Sequence, residues 1–264
     1  MKKILFIGAG NMGGAILSAV ISQKILPAEK IFVRDKSGKK AKFFAEKYGA
    51  KIENPKNPDA IFLAVKPQIF PEILPIQNAK NALLISVMAG ISTAEIAEKT
   101  GAQKICRAMP NTPALVGAGA TGIFFTDETP EKDRDFCRNL FGGIGAVFEI
   151  ADEDQMHAIT ALSGSGPAYF FQFVENLAAA GQKLGLSAEI SQKLAAETFF
   201  GAAKLLEKSG DTPENLRKKV TSPGGTTAAA LENFKTNDFQ KIIESALFAA
   251  ATRSRELGKK NLPK

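Results

Sequence analysis

The stretch Lys3-Ile4-Leu5-Phe6-Ile7-Gly8-Ala9-Gly10-Asn11-Met12-Gly13 decides the architecture. Its first half is a short apolar run of strand character, and glycines then stand at the first, third and sixth positions of a turn that opens a helix. G-x-G-x-x-G in this strand-to-helix context is a dinucleotide fingerprint, because each glycine has its own task. Gly8 permits the tight turn, Gly10 lets backbone N–H groups approach a pyrophosphate, and Gly13 lets the helix pack closely on the strand. The helix N-terminus, with Asn11 and Met12 in its first turn, adds partial positive charge toward a phosphate. Lys2-Lys3 before the apolar run imitates the start of a signal peptide, but the run stops at Gly8 and no small-residue cleavage site follows.

Outward from this stretch, residues 1–150 alternate short apolar runs with amphipathic segments. Lys3–Gly8, Lys30–Arg34, Ala60–Val65, Ala82–Val87, Lys104–Met109, Thr121–Phe125 and Ala146–Ile150 are predicted as strands. Gly13–Gln23, Gly38–Tyr48, Thr93–Thr100 and Glu131–Leu140 carry helical spacing. This alternation predicts an α/β domain with a doubly wound, Rossmann-type sheet. After Ala151 the strand signal disappears. Asp152–Leu162, Pro167–Leu184, Ser187–Lys208, Pro213–Lys219, Thr227–Phe234 and Phe239–Leu257 are predicted as helices, so residues 151–264 are expected to form an all-α domain. Thr212 before Pro213 marks a helix start, while Gly185 and Gly258 are expected to end helices. Helices around Leu177–Leu186 and Leu194–Leu206 are apolar on more than one face, Phe199-Phe200 included, and such helices need a second surface. A homodimer or higher homo-oligomer is expected.

Composition narrows the function classes. With 45% hydrophobic and 23% charged residues over 264 positions, the chain can build two cores, and disorder is excluded. No apolar stretch reaches the roughly 18 residues that span a bilayer, so no membrane partner is expected. The net charge of +7 is scattered through every segment without a basic, aromatic-interleaved run. That pattern favours small anionic ligands over nucleic acid. The two cysteines, Cys106 and Cys137, fit reduced structural thiols, and no metal-ligand spacing surrounds them. These features together predict a cytoplasmic protein without a metal.

The end of the second predicted strand, Val33-Arg34-Asp35-Lys36-Ser37, should meet the adenosine ribose of the dinucleotide. Asp35 could bond a 2′-hydroxyl, while Arg34 and Lys36, with Lys39 and Lys40 nearby, could hold a 2′-phosphate. The cations outnumber the acid, so NADPH is the expected cofactor, with NADH possible.

Four further segments bear on chemistry: Ala64-Val65-Lys66-Pro67-Gln68, Arg107 to Gly117 with Met109-Pro110-Asn111-Thr112-Pro113 at its centre, Leu162-Ser163-Gly164-Ser165-Gly166-Pro167-Ala168-Tyr169, and Val220-Thr221-Ser222-Pro223-Gly224-Gly225-Thr226-Thr227-Ala228. Together with the first glycine turn, and in this order, they resemble pyrroline-5-carboxylate reductase along essentially the whole chain. The Ser-Pro-Gly-Gly-Thr-Thr segment is the most specific. The resemblance implies a C-terminal dimerisation domain like that of 6-phosphogluconate dehydrogenase. It also implies a reaction, in which hydride passes from the nicotinamide to the C=N carbon of 1-pyrroline-5-carboxylate, giving L-proline as the last step of proline biosynthesis.

The residues fit that chemistry. His157 is the only histidine and sits in a predicted helix between Met156 and Ile159, where a packing or surface role suits it better than that of a base. A cyclic imine can carry its own proton, so the protein must chiefly orient substrate and cofactor and supply one hydrogen-bonding group. The resemblance makes Thr227 that catalytic group; a hydroxyl is a poor acid, so it is expected to position and polarise the nitrogen. The substrate carboxylate is expected on Ser222, Gly225, Thr226 and Thr227, through the Ser222 hydroxyl and free N–H groups at the helix start. The family pattern further places Ala64, Lys66 and Pro67 beside the cofactor's ribose and phosphates, and Asn111 near its nicotinamide. The segment between Ile52 and Ala60 is shorter than is usual in the family, which leaves a contact from Asn54 open. In the β-hydroxyacid dehydrogenases, which share this domain plan, a catalytic Lys and Asn stand where this chain has Phe170 and Phe173, so alcohol oxidation is disfavoured. The active site is expected where the carboxyl edge of the sheet meets helices, of the same or a partner subunit.

Overall fold

The computed structural model describes residues 2–259. Its strands are β1 (Ile4–Ile7), β2 (Ile31–Arg34), β3 (Ala60–Leu63), β4 (Leu83–Ser86), β5 (Ile105–Met109), β6 (Gly119–Phe125) and β7 (Gly145–Glu149). Between them lie α1 (Asn11–Ser22), α2 (Gly38–Tyr48), α3 (Thr93–Thr100) and α4 (Glu131–Gly142). The chain continues through α5 (Gln155–Ile159), α6 (Gly166–Lys183), α7 (Ala188–Ser209), α8 (Pro213–Lys219), α9 (Thr226–Thr236) and α10 (Phe239–Lys259). These elements stand where the apolar periodicity predicts them.

The seven strands form one sheet in the order β2-β1-β3-β4-β5-β6-β7. Strands β1 to β5 are parallel, β6 runs antiparallel to β5, and β7 is parallel to β6. After β2 the chain returns across β1 to build β3 on its other side, and this reversal opens a crevice beyond the carboxyl ends of β1 and β3. Strands β1, β3, β4 and β5 are buried along their whole length, as strands covered on both faces must be. Ile4 and Phe6 pack into one core with Ile16, Leu17 and Phe141, whereas Leu5 and Ile7 pack into the other with Phe70, Leu84 and Ile96. Phe6 and Phe62 stack at 4.7 Å between ring centroids inside the first core, each burial contributing about 1.5–3 kcal/mol.

By packing, the described residues up to Pro167 form one compact unit together with residues 249–259, and Ala168–Phe248 form a second. This differs from the division by element type at 150/151, because α5 and the last turns of α10 are tied into the first unit. Arg255 bonds Asp154 at 2.9 Å, the His157 ring meets the Ser254 hydroxyl at 2.9 Å, and Glu153 receives Arg107 of β5 at 2.7 Å. Gly258 does not end a helix, as expected from sequence, but lies within α10. A Cβ there would stand 2.5 Å from the carbonyl oxygen of Gly90, so close backbone approach explains the glycine. The predicted helix over 152–162 is also interrupted, for residues Thr160–Gly164 form a π-helical turn in which the N–H of Ser165 donates to the carbonyl of Thr160 at 2.8 Å.

Candidate functional site

The glycine turn is built around Ala64. Gly8 has φ +99°, and a Cβ on it would lie 2.6 Å from the carbonyl oxygen of Ala64; one on Gly13 would lie 2.5 Å from the carbonyl oxygen of Gly8 and 2.7 Å from the Ala64 Cβ. Both glycines are therefore required by the close approach of the turn to the end of β3. Gly10 is different, since a Cβ there meets nothing within 4 Å. It caps α1 without a side-chain bond, and no acid occupies the first turn, so the N–H groups at Asn11 and Met12 start the helix without a carboxylate partner. Open space above a free helix N-terminus fits the pyrophosphate of a dinucleotide.

Beside this turn runs a groove of about 720 Å³ lined by Gly8, Gly10, Arg34, Asp35, Lys36, Lys40, Ala64, Lys66, Glu72 and the apolar side chains of Ile7, Val65, Ile69 and Ile73. Apolar walls with a cationic rim suit an adenosine carrying phosphate. Of the predicted cofactor residues, the groove brings together Gly8, Gly10, Arg34, Lys36, Ala64 and Lys66. Asn11 lines a smaller neighbouring cleft of about 380 Å³ with Gly10, Lys39 and Lys40. Met12 packs partly against the core, Gly13 lies buried under the turn, and Pro67 begins the 3-10 turn Pro67–Ile73 that carries the far wall.

Asp35 lines the groove at the end of β2. One carboxylate oxygen accepts the N–H of Ala9 at 2.7 Å and the other accepts the N–H of Ser37 at 2.8 Å. The acid is thus engaged in holding the glycine turn to the start of α2. Glu72, which sequence reading did not single out, bonds Lys36 at 3.2 Å. It stands 36 positions away along the chain, on a segment with no local signature.

Asn111 is buried and does not line the groove. Its amide Nδ2 donates to the hydroxyl of Ser163 at 3.2 Å and to the Ser163 carbonyl at 3.3 Å, while its Oδ1 accepts the N–H of Ala120 at 2.9 Å. The two sequence segments singled out around these residues are therefore one structural unit, the loop after β5 fastened to the π turn. His157 is partly buried; desolvation, with the positive charge of Arg107 next, holds its imidazole below the ordinary 6.5, which keeps it neutral near pH 7. Both cysteines are free and buried, and burial pushes the Cys106 thiol well up. Among the described residues there is no cluster of His, Cys, Asp and Glu that could hold a metal, and no helix long and apolar enough to cross a membrane.

In the second unit, Gly225 caps α9, placing Thr226 and Thr227 at its first two positions. The N–H of Gly225 is not free, contrary to the expectation from sequence: it donates to the carbonyl of Ser222 at 3.0 Å, closing the turn that delivers the chain into the helix. Among the described residues no hydrogen bond engages the N–H of Thr226, Thr227 or Ala228, as helix geometry leads one to expect of a first turn. Ser222 and Thr226 are exposed and Thr227 is partly buried. The segment from Ser222 to Leu231 contains no ionisable side chain, so what it offers a ligand is hydroxyls and backbone N–H groups.

A family profile described as pyrroline-5-carboxylate reductase dimerisation matches residues 153–257, and one described as NADP oxidoreductase coenzyme F420-dependent matches residues 3–90. The chain is 41% identical to pyrroline-5-carboxylate reductase of Haemophilus influenzae, covering 97% of both chains. Among solved structures, it matches pyrroline-5-carboxylate reductase of Coxiella burnetii with a TM-score of 0.89 at 36% identity, covering 97% of this chain and 98% of that one. It matches a Plasmodium falciparum pyrroline carboxylate reductase with NADP bound with a TM-score of 0.84 at 31% identity, with the same coverage.

Proposed function

The chain belongs to the pyrroline-5-carboxylate reductase family, and from that premise we propose which of its residues hold the cofactor and which the substrate. The reaction is the NAD(P)H-dependent reduction of the C=N bond of 1-pyrroline-5-carboxylate to L-proline, the closing step of proline biosynthesis. NADPH, when bound, supplies the hydride. Gly8, Gly10 and Gly13 shape the turn under its pyrophosphate, with the N–H groups at Asn11 and Met12 directed to the phosphates. Arg34 and Lys36 hold the 2′-phosphate, Ala64, Lys66 and Pro67 border the ribose and phosphates, and Asn111 fixes the loop near the nicotinamide.

Ser222, Gly225, Thr226 and Thr227 form the substrate loop. The Ser222 hydroxyl and the N–H groups of Thr226 and Thr227 receive the carboxylate; Gly225 contributes the turn rather than its N–H. The Thr227 hydroxyl bonds the ring nitrogen and fixes the imine plane. The observation that carries this reading is the free first turn of α9 within a segment that has no ionisable side chain. Such a site can orient a cyclic imine that brings its own proton, but it cannot deprotonate an alcohol.

The C-terminal part, residues 151–264, is the substrate and dimerisation domain of a homodimer or larger homo-oligomer. Exposed Phe170, Phe171, Leu194 and Phe200 on α6 and α7, with the profile match to a dimerisation domain, support this. A cytoplasmic location is part of the same proposal. Deuterium-labelled NADPH tests the reaction: the label should appear in proline on the ring carbon bonded to nitrogen that does not bear the carboxylate. Label on the carboxylate-bearing carbon, or none in proline, contradicts the proposal.

A further inference from the structure

The cationic groove contains two acids, Asp35 and Glu72, and they are not equivalent. Both Asp35 oxygens are taken by backbone N–H groups of the first unit's own turns. Glu72 instead reaches from the 3-10 turn after β3 to Lys36, which follows β2, so the pair at 3.2 Å links two walls of the groove. Both side chains are solvent-exposed, with 85% and 51% of their surface accessible, so the pair is weak and readily exchanged.

We propose that Glu72 is a specificity-determining residue that sets the balance between NADPH and NADH. The proposal rests on the reading that this groove takes the 2′-phosphate. A 2′-phosphate at the end of β2 must take Lys36 from Glu72, and the released carboxylate then stands beside a dianion in the same groove. NADH presents only a 2′-hydroxyl, leaves the Lys36–Glu72 pair closed, and escapes that repulsion. Glu72 therefore lowers the affinity for NADPH selectively and keeps NADH competitive in a groove that its cations would otherwise commit to phosphate.

The test is equilibrium titration of the full chain with NADPH and with NADH, followed by nicotinamide fluorescence, for the wild type and Glu72→Gln. Removing the charge should tighten NADPH about fivefold, the effect of roughly one unit of charge at partly screened range, and shift NADH by less than about twofold. The gain should fade at high salt and should shrink in a Lys36→Ala background, where only the repulsion between the carboxylate and the phosphate remains. Glu72→Ala should repeat the result if Glu72→Gln packs differently. An equal change for both nucleotides, or an unchanged NADPH affinity, overturns the proposal. Failure of the underlying reading has a different signature, namely NADPH affinity that survives Arg34→Ala and Lys36→Ala unchanged.

Discussion

The side-chain amide of Asn111 bonds Ser163, 52 positions later, at 3.2 Å through the hydroxyl and at 3.3 Å through the carbonyl, while its oxygen accepts the N–H of Ala120. One buried side chain thus joins the loop after β5, the start of β6 and the π turn that precedes α6. Asn111→Ala removes these bonds and strands buried polar groups, at a cost of about 1–3 kcal/mol. Chemical denaturation should show that loss, and Asn111→Asp, which buries a carboxylate oxygen against the Ser163 carbonyl, should not recover it.

The three glycines of the first turn should separate on substitution. Gly13→Ala forces a methyl group against Gly8 and Ala64, and should destabilise the fold by about 1–3 kcal/mol. Gly10→Ala meets open space and should leave stability within about 0.5 kcal/mol, yet weaken NADPH binding at least about tenfold by filling the pyrophosphate cradle. Unfolding curves and fluorescence titrations of the two variants distinguish fold from site.

Arg34→Ala and Lys36→Ala should each raise the Kd for NADPH by about 10-fold or more, as expected for loss of a charged hydrogen bond to phosphate, and change the Kd for NADH by no more than about twofold. Equal losses for both nucleotides would place these side chains elsewhere than at the 2′-phosphate.

His157 predicts a pH effect on stability. Its folded pKa lies below the 6.5 of an ordinary imidazole, chiefly through desolvation. The unfolded chain therefore binds the proton more readily, so stability held above about pH 6.5 is lost as pH falls through the depressed folded value. Urea melts between pH 7.5 and 5 should show a decline that is smaller in His157→Gln, which keeps a polar group near Ser254 but does not titrate.

Local pattern made most of the fold legible. Buried parallel strands announce themselves as runs such as Ile4–Ile7 and Ala60–Leu63, and the glycine turn identifies its own ligand because its spacing is dictated by backbone approach. The start of α9 was legible in the same way, except that Gly225 spends its N–H on Ser222, a turn detail that residue type does not specify. What stayed hidden depends on partners far apart in the chain: Glu72 on Lys36, Asn111 on Ser163, and Gly258 against Gly90. The bonds from Ala9 and Ser37 to Asp35 likewise depend on the folded turn. The π turn at Thr160 carries no periodicity signal, since a single widened turn leaves the apolar spacing on either side intact.

The most direct measurement is steady-state oxidation of NADPH with 1-pyrroline-5-carboxylate, with proline quantified, for the wild type and Thr227→Ala. The wild type should turn over and form one proline per NADPH. Thr227→Ala should lose about 100-fold or more in kcat, within the range for a positioning and hydrogen-bonding group, with NADPH affinity unchanged. A wild type that binds NADPH but forms no proline, or a Thr227→Ala variant of undiminished kcat, would contradict the account.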